Sequence, residues 1–251
     1  MKKLKIYSTL LFLLFCGNLT AQDKQVVKQI NDFFNTGQYD RAKKLLDKNL
    51  AEYSKNSDLL FLMGKYYYQK KQYDKARYHL LRTLDEVPKH TAAKEILSNL
   101  EIATKHYSSA ICYINELLEV SPYDAELWRK KIAVYRQQGN DIEANRLLKR
   151  IRVIYPQDQQ FKKDYVYSLQ MQSAQEKKKG NIDEAIRMQE ETLRLNPKNE
   201  EAYTTLINSY LLSGDKEKAL TYTNRGLQNL PNNQELINRK IGILTEMNRY
   251  V

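Results

Sequence analysis

From Lys24 onward, apolar residues recur at helical spacing on both sides of short polar breaks, a pattern that predicts helix, turn, helix along the chain. The second unit is the clearest. Leu59, Leu60, Leu62, Met63, Tyr66 and Tyr67 form the apolar side of a first helix, Lys70-Lys71-Gln72 breaks it, and Ala76, Leu80, Leu81, Leu84 and Val87 line a second. Pro88 ends the pair, because proline has no amide hydrogen with which to continue the helical ladder.

All five prolines hold the corresponding place. Pro88, Pro122, Pro156, Pro197 and Pro231 are 34, 34, 41 and 34 residues apart. Ala42, Ala76, Ala110, Ala144, Ala185 and Ala219 keep the same beat twelve residues earlier, the first of them preceding Ser54 instead of a proline. Self-similarity at this period marks stacked repeats, each burying its apolar face against the next. Gly37, Gly139, Gly180 and Gly214 lie five residues before a repeat alanine. A chain reversing there wants a left-handed residue, which glycine, and less readily asparagine, supplies at low cost. The alanines mark the closest crossing of the two helices of a pair, where a larger side chain would push the axes beyond the usual ~8–10 Å.

With Leu60-x2-Met63-Gly64-x2-Tyr67, then Ala76-x3-Leu80, then Pro88, the unit resembles the tetratricopeptide repeat family. Tyr203, Leu206, Tyr210, Ala219 and Pro231 repeat the pattern, as do Trp128, Tyr135, Ala144, Leu148 and Pro156. Two departures stand out: Glu101 replaces the tyrosine of the third unit, and the first unit lacks its proline. The resemblance runs from Lys24 to the end. It implies an all-α, tetratricopeptide-type superhelical solenoid of antiparallel helix pairs over residues 22–251, with about six repeats plus the first helix of a seventh.

The segment before the repeats is of another kind. Lys2, Lys3 and Lys5 precede an apolar run from Leu10 to Phe15 and a small-residue end at Thr20-Ala21, which reads as a secretory signal peptide, residues 1–21, cleaved after Ala21. The run is shorter than the ~20 residues that span a bilayer. Cys16 raises lipidation as an alternative, against which bulky Phe15 argues. Export, to a periplasm or an outer membrane, is therefore expected. Cleavage would leave Cys112 as the last cysteine, so no internal disulfide is expected; two residues past Ala110, it reads as a small core residue.

Cleavage would also leave 38 basic residues against 30 acidic ones. The charges are interspersed in every unit, as in Asp74-Lys75 and Lys216-Glu217-Lys218, which is the look of solvated helix faces. Together with export, this argues against nucleic acid as a partner. Nineteen tyrosines are mostly packing residues, yet Tyr66-Tyr67-Tyr68 cannot all face a core when successive residues turn by ~100°. Tyr68 is the one expected outside it.

Motifs for chemistry are absent from the sequence. His79, His90 and His106 are scattered, with no His-Glu-x-x-His or Cys-x-x-Cys spacing, no glycine-rich phosphate loop and no Gly-x-Ser-x-Gly elbow. Glu190-Glu191 and Glu200-Glu201 are adjacent on helices and point apart. The expectation is a protein that is not an enzyme and needs no cofactor or metal.

What remains is recognition. The resemblance implies a concave face lined by the first helices, fitted to a peptide or partner protein, and places on it Lys65, Tyr68, Asn99, Arg129, Arg136, Tyr167 and Asn208. Family members that clamp a terminal carboxylate share a Lys and an Asn one turn apart. Phe61 and Lys65 occupy the matching places here, so that specificity is not expected.

Two irregularities complete the reading. The fifth unit carries seven extra residues before Gly180, within Gln170 to Lys179; seven residues turn a helix by about 700°, so a first helix two turns longer, with its buried face nearly in register, is expected to project as a contact knob. At the other end, Gln234 to Met247 is a seventh first helix, and the next repeat alanine falls due two residues beyond Val251. Its apolar residues lie on more than one side. Either a partner covers that end or the chain continues in a longer protein, and the second is the expectation. The implied function is a binding scaffold of the bacterial cell envelope, either freestanding or as the repeat arm of a larger outer-membrane or secretion protein.

Overall fold

The computed structural model describes residues 21–248. The leader read in Met1 to Ala21 lies, apart from Ala21, outside the described residues, as do Arg249, Tyr250 and Val251. Among the described residues there are thirteen helices and no strand. In chain order they are α1 (Ala21–Asn35), α2 (Tyr39–Glu52), α3 (Ser57–Gln69), α4 (Tyr73–Glu86), α5 (Thr91–Ala103), α6 (Tyr107–Val120), α7 (Ala125–Gln137), α8 (Asp141–Ile154), α9 (Gln159–Lys178), α10 (Ile182–Leu195), α11 (Glu200–Leu212), α12 (Lys216–Asn229) and α13 (Gln234–Glu246). They form two compact units, α1–α7 up to Gly139 and α8–α13 from Asn140 on. Within each, successive helices pack against one another as antiparallel hairpins. No helix among the described residues is long and apolar enough to cross a membrane.

Helix starts are written two residues after the proline places, five of which hold a proline and the first Ser54. Asn56 Oδ1 accepts from the amides of Asp58 and Leu59, Asp124 from those of Glu126 and Leu127, and Asp158 from those of Gln160 and Phe161, all at 2.8–3.1 Å. Asn199, Asn233 and His90 Nδ1 each cap one amide in the same way. Each cap satisfies amides that a helix start leaves orphaned, worth about 1 kcal/mol.

The helix reversals follow the glycine pattern and then exceed it. Gly37, Gly139, Gly180 and Gly214 have φ of 72–85°, as expected. Lys71, Lys105 and Asn248 take the same place with φ of 56°, 62° and 53°. A left-handed lysine costs roughly 1–2 kcal/mol. The same pair of backbone bonds that closes the glycine turn holds it: the amide of Gln72 donates to Tyr67 O and that of Lys71 to Tyr68 O, both at 2.9 Å, as Gln38 donates to Phe33 O at 2.8 Å.

The six repeat alanines are at most 1% exposed, so they do sit at the helix crossings. Gly64 marks an even closer approach, since a Cβ there would lie 2.6 Å from Leu80 Cγ. Three sequence expectations are corrected. Leu81 and Val87 are exposed rather than lining α4, because the buried stripe runs Ala76, Leu80, Thr83, and Val87 lies past the helix end. Thr83 fits there by donating its hydroxyl to His79 O at 2.9 Å. Cys112 is exposed, not a core residue: two positions from Ala110 is about 200° around the helix, away from Ala110, Ile114 and Leu117. Its thiol is pushed up, first by partial desolvation and then by Glu116, which leaves it poorly nucleophilic.

The long helix behaves as its seven residues require. α9 has 20 residues where α3, α5, α7, α11 and α13 have 13. Asp158 caps its base in the usual place, and Ser173, twelve residues before Ala185 as Gly64 is before Ala76, donates to Ala185 O at 3.1 Å. Both ends are thus in register, and the added two turns lie between them.

His79 gives the fold a pH dependence. Its ring stacks on Tyr67 at 5.5 Å and 14°, and burial, aided by Arg82 and Lys43, holds its pKa below the ordinary value. The unfolded chain therefore binds the proton first. Stability should be complete above about pH 6.5 and decline as pH falls from there through the lowered folded value. A melting-temperature series from pH 8 to 5 on the wild type and His79→Gln checks this; the substitution should flatten the slope in that window.

Candidate functional site

The predicted surface residues all lie on first helices, in two sets that belong to different units. In the first unit, Lys65 Nζ sits 5.2 Å over the Phe34 ring, and the Tyr68 ring lies 6.1 Å from that of Tyr73. Burial, with Tyr73 beside it, pushes the Tyr68 phenol up, so it remains a neutral donor and acceptor. Asn99 is half-buried on α5. Arg129 pairs with Glu126 one turn back, and Arg136 stands in the last turn of α7, where a cation complements the helix dipole.

In the second unit, Asn208 Oδ1 is held by Arg239 Nη1 at 2.6 Å, whereas Tyr167 is 59% exposed. Tyr167 borders a cavity of about 290 Å³ at the base of α9, whose walls include Lys162, Lys163, Val166, Gln170 and Asn196. Sequence reasoning placed Tyr167 of this group on the concave face and Gln170 at the start of the expected knob, and missed the others.

A larger cleft, about 750 Å³, lies between α8, α9 and α10. Its adjacent carboxylates point apart, as expected. Glu191 accepts from Arg152 Nη2 at 2.9 Å and the Tyr165 hydroxyl at 3.2 Å, with Arg152 stacked 4.5 Å over the Tyr165 ring. Glu190 accepts from the hydroxyls of Tyr222 and Tyr210, and burial plus that carboxylate raises both phenols, Tyr222 strongly. These acids are held by internal partners and pin helices together.

A second polar cluster, also missed in the sequence, ties α4, α5 and the start of α6. Glu101, 4% exposed, takes the tyrosine place of its unit. Arg77 grips it with two nitrogens at 2.7 and 3.2 Å, and His106 Nδ1 lies 2.9 Å from Oε2, the oxygen that Arg77 Nη2 also holds. The departure from tyrosine is thus compensated by an arginine on the preceding helix. Among the described residues no group of three or more His, Cys, Asp or Glu side chains is placed to hold a metal ion.

A family model described as tetratricopeptide repeat matches residues 34–100 and 178–240. No curated protein matches the sequence significantly. Among solved structures, a tetratricopeptide repeat protein from Parabacteroides merdae ATCC 43184 is 17% identical, with a TM-score of 0.51 over 90% of this chain and 87% of that one. The structure of Naa15/Naa10 bound to HypK-THB is 18% identical, with a TM-score of 0.53 over 85% of this chain and 32% of that one. At these identities both speak to the fold alone. The family match covers just over half of the sequence and includes the whole helix pairs built around Ala76 and Ala219: the chain belongs to the tetratricopeptide repeat family.

Proposed function

We propose that this protein is a non-catalytic interaction scaffold that holds a peptide or protein partner against the faces of its first helices. The observation that carries this reading is the division of labour among side chains. Carboxylates such as Glu101, Glu190 and Glu191 are tied up inside the structure, while half-buried and exposed groups of mixed chemistry, Lys65, Tyr68, Asn99, Arg136 and Tyr167, stand along the first helices. Repeat stacks present such faces without needing a catalytic centre. The leader pattern supports a place of work in the cell envelope, with a mature chain starting at Gln22.

The double substitution Arg129→Glu/Arg136→Glu tests the reading. The changes give up the Glu126 pair and the helix-dipole complement, each worth at most about 1 kcal/mol, so the protein should stay folded with its melting point lowered by only a few degrees. Recovery of the bound partner with protein isolated from its own cells should fall about tenfold, which corresponds to ~1.4 kcal/mol of binding. Unchanged recovery would count against the first-helix face.

A further inference from the structure

We infer that the cavity at the base of α9 is a seat for an acidic peptide segment, an inference that rests on the scaffold reading above and names the chemistry of its partner. The cavity has a cause in the sequence. Between α11 and α13, Asn208, nine residues after its cap Asn199, meets Arg239, six residues after Asn233. Between α9 and α11, Gln170, twelve residues after Asp158, meets Glu201, two residues after Asn199, at 2.5 Å. The offset between neighbouring first helices grows from three residues to ten, a difference equal to the insertion. At 1.5 Å per residue, the base of α9 therefore runs about 10 Å further past the start of the next first helix than α11 runs past that of α13. Leu195 and Asn196, which end α10, close the ledge into a cavity.

The walls choose the occupant. Lys162 and Lys163 line the cavity together with amides and Tyr167, and no carboxylate does. Neither ammonium group has an ion-pair partner among the described residues, in a protein where most other charges near clefts are paired. About 290 Å³ is at the small end of ligand sites, room for one or two side chains rather than a whole cofactor. An Asp or Glu side chain of a partner meets both lysines there. The exposed Tyr167 face offers an adjacent apolar residue a platform, and Asn196 supplies donors and an acceptor for the peptide backbone. Because the lysines are near the surface, the attraction must weaken as salt shortens the Debye length.

A display library of random twelve-residue peptides, selected on the full chain and followed by fluorescence anisotropy, tests this. Enriched sequences should carry Asp or Glu next to an aromatic residue or leucine. Lys162→Glu/Lys163→Glu should weaken them at least tenfold with an unchanged melting curve, and Tyr167→Ala should weaken them several-fold. Raising salt from about 50 to 300 mM should also lower affinity. Peptides that ignore the lysine pair but are lost in Arg129→Glu/Arg136→Glu would overturn the seat and leave the scaffold reading intact. A twelve-nucleotide single strand that binds more tightly than any peptide, with the same lysine dependence, would overturn it in favour of a nucleic acid. If no peptide were enriched, the seat and the peptide-binding reading would fall together.

Discussion

Replacing Arg77 by methionine is expected to destabilise the protein by about 3 kcal/mol, at the low end for breaking a buried ion pair. The reason lies in the partner left behind. Glu101 is 4% exposed, and both its oxygens are engaged by Arg77, so the methionine variant strands a carboxylate between α4 and α5 with only His106 in reach. Arg77 is itself 24% exposed and also bonds Asp74, which keeps the loss from the top of the range. The pair is not indispensable as such. Tyr67, Tyr135 and Tyr210 occupy the matching place elsewhere, so Arg77→Met combined with Glu101→Tyr is expected to return to within about 1 kcal/mol of the wild type. Urea unfolding of the two single variants and the double separates these outcomes. Additive losses would mean that the two residues act independently and that the compensation described above is wrong.

Phe161→Ala is expected to cost about 3–5 kcal/mol, the largest single effect in the unit that begins at Asn140. Phe161 is fully buried and sits three residues after its cap, the place held by Leu59, Ala93, Leu127, Ala202 and Leu236 in the other first helices. It is the largest of the six. Its ring lies 5.5 Å from that of Tyr155, so truncation leaves a cavity beneath the base of α9 that a long helix, fixed at both ends, cannot close. Phe161→Leu keeps most of the volume and should lose roughly half as much or less. Since repeats depend on their neighbours, hydrogen exchange should quicken in α8–α10 and leave α3–α5 untouched.

Much of this architecture was legible in the sequence because its signals are steric and local. A proline after five of the six pairs, a glycine before four of the six second helices and an alanine at each crossing follow from backbone geometry, and even the seven added residues could be read as two helical turns. Properties that depend on neighbours were not legible. Nothing in the local pattern says that Lys71 and Lys105 take a glycine's conformation, because the surrounding backbone bonds impose it. Cys112 was misread because proximity to Ala110 in sequence does not set its angle around the helix. Glu101 showed only as a departure, since its partner Arg77 is 24 residues away. Of the candidate site, Tyr167 followed from the repeat position, whereas Lys162, Lys163 and Asn196 come together through the shift of one helix past the next, a tertiary effect.

The most direct test of the scaffold account places a photo-crosslinking amino acid, one site at a time, in the full-length protein within its own cells. Tyr68 and Tyr167 report on first helices, and the exposed Ile142 and Val153 report on the second helix α8. The account predicts adducts with a partner protein from Tyr68 and Tyr167 and none from the α8 positions. Adducts from Ile142 or Val153, with none from the first helices, would contradict it.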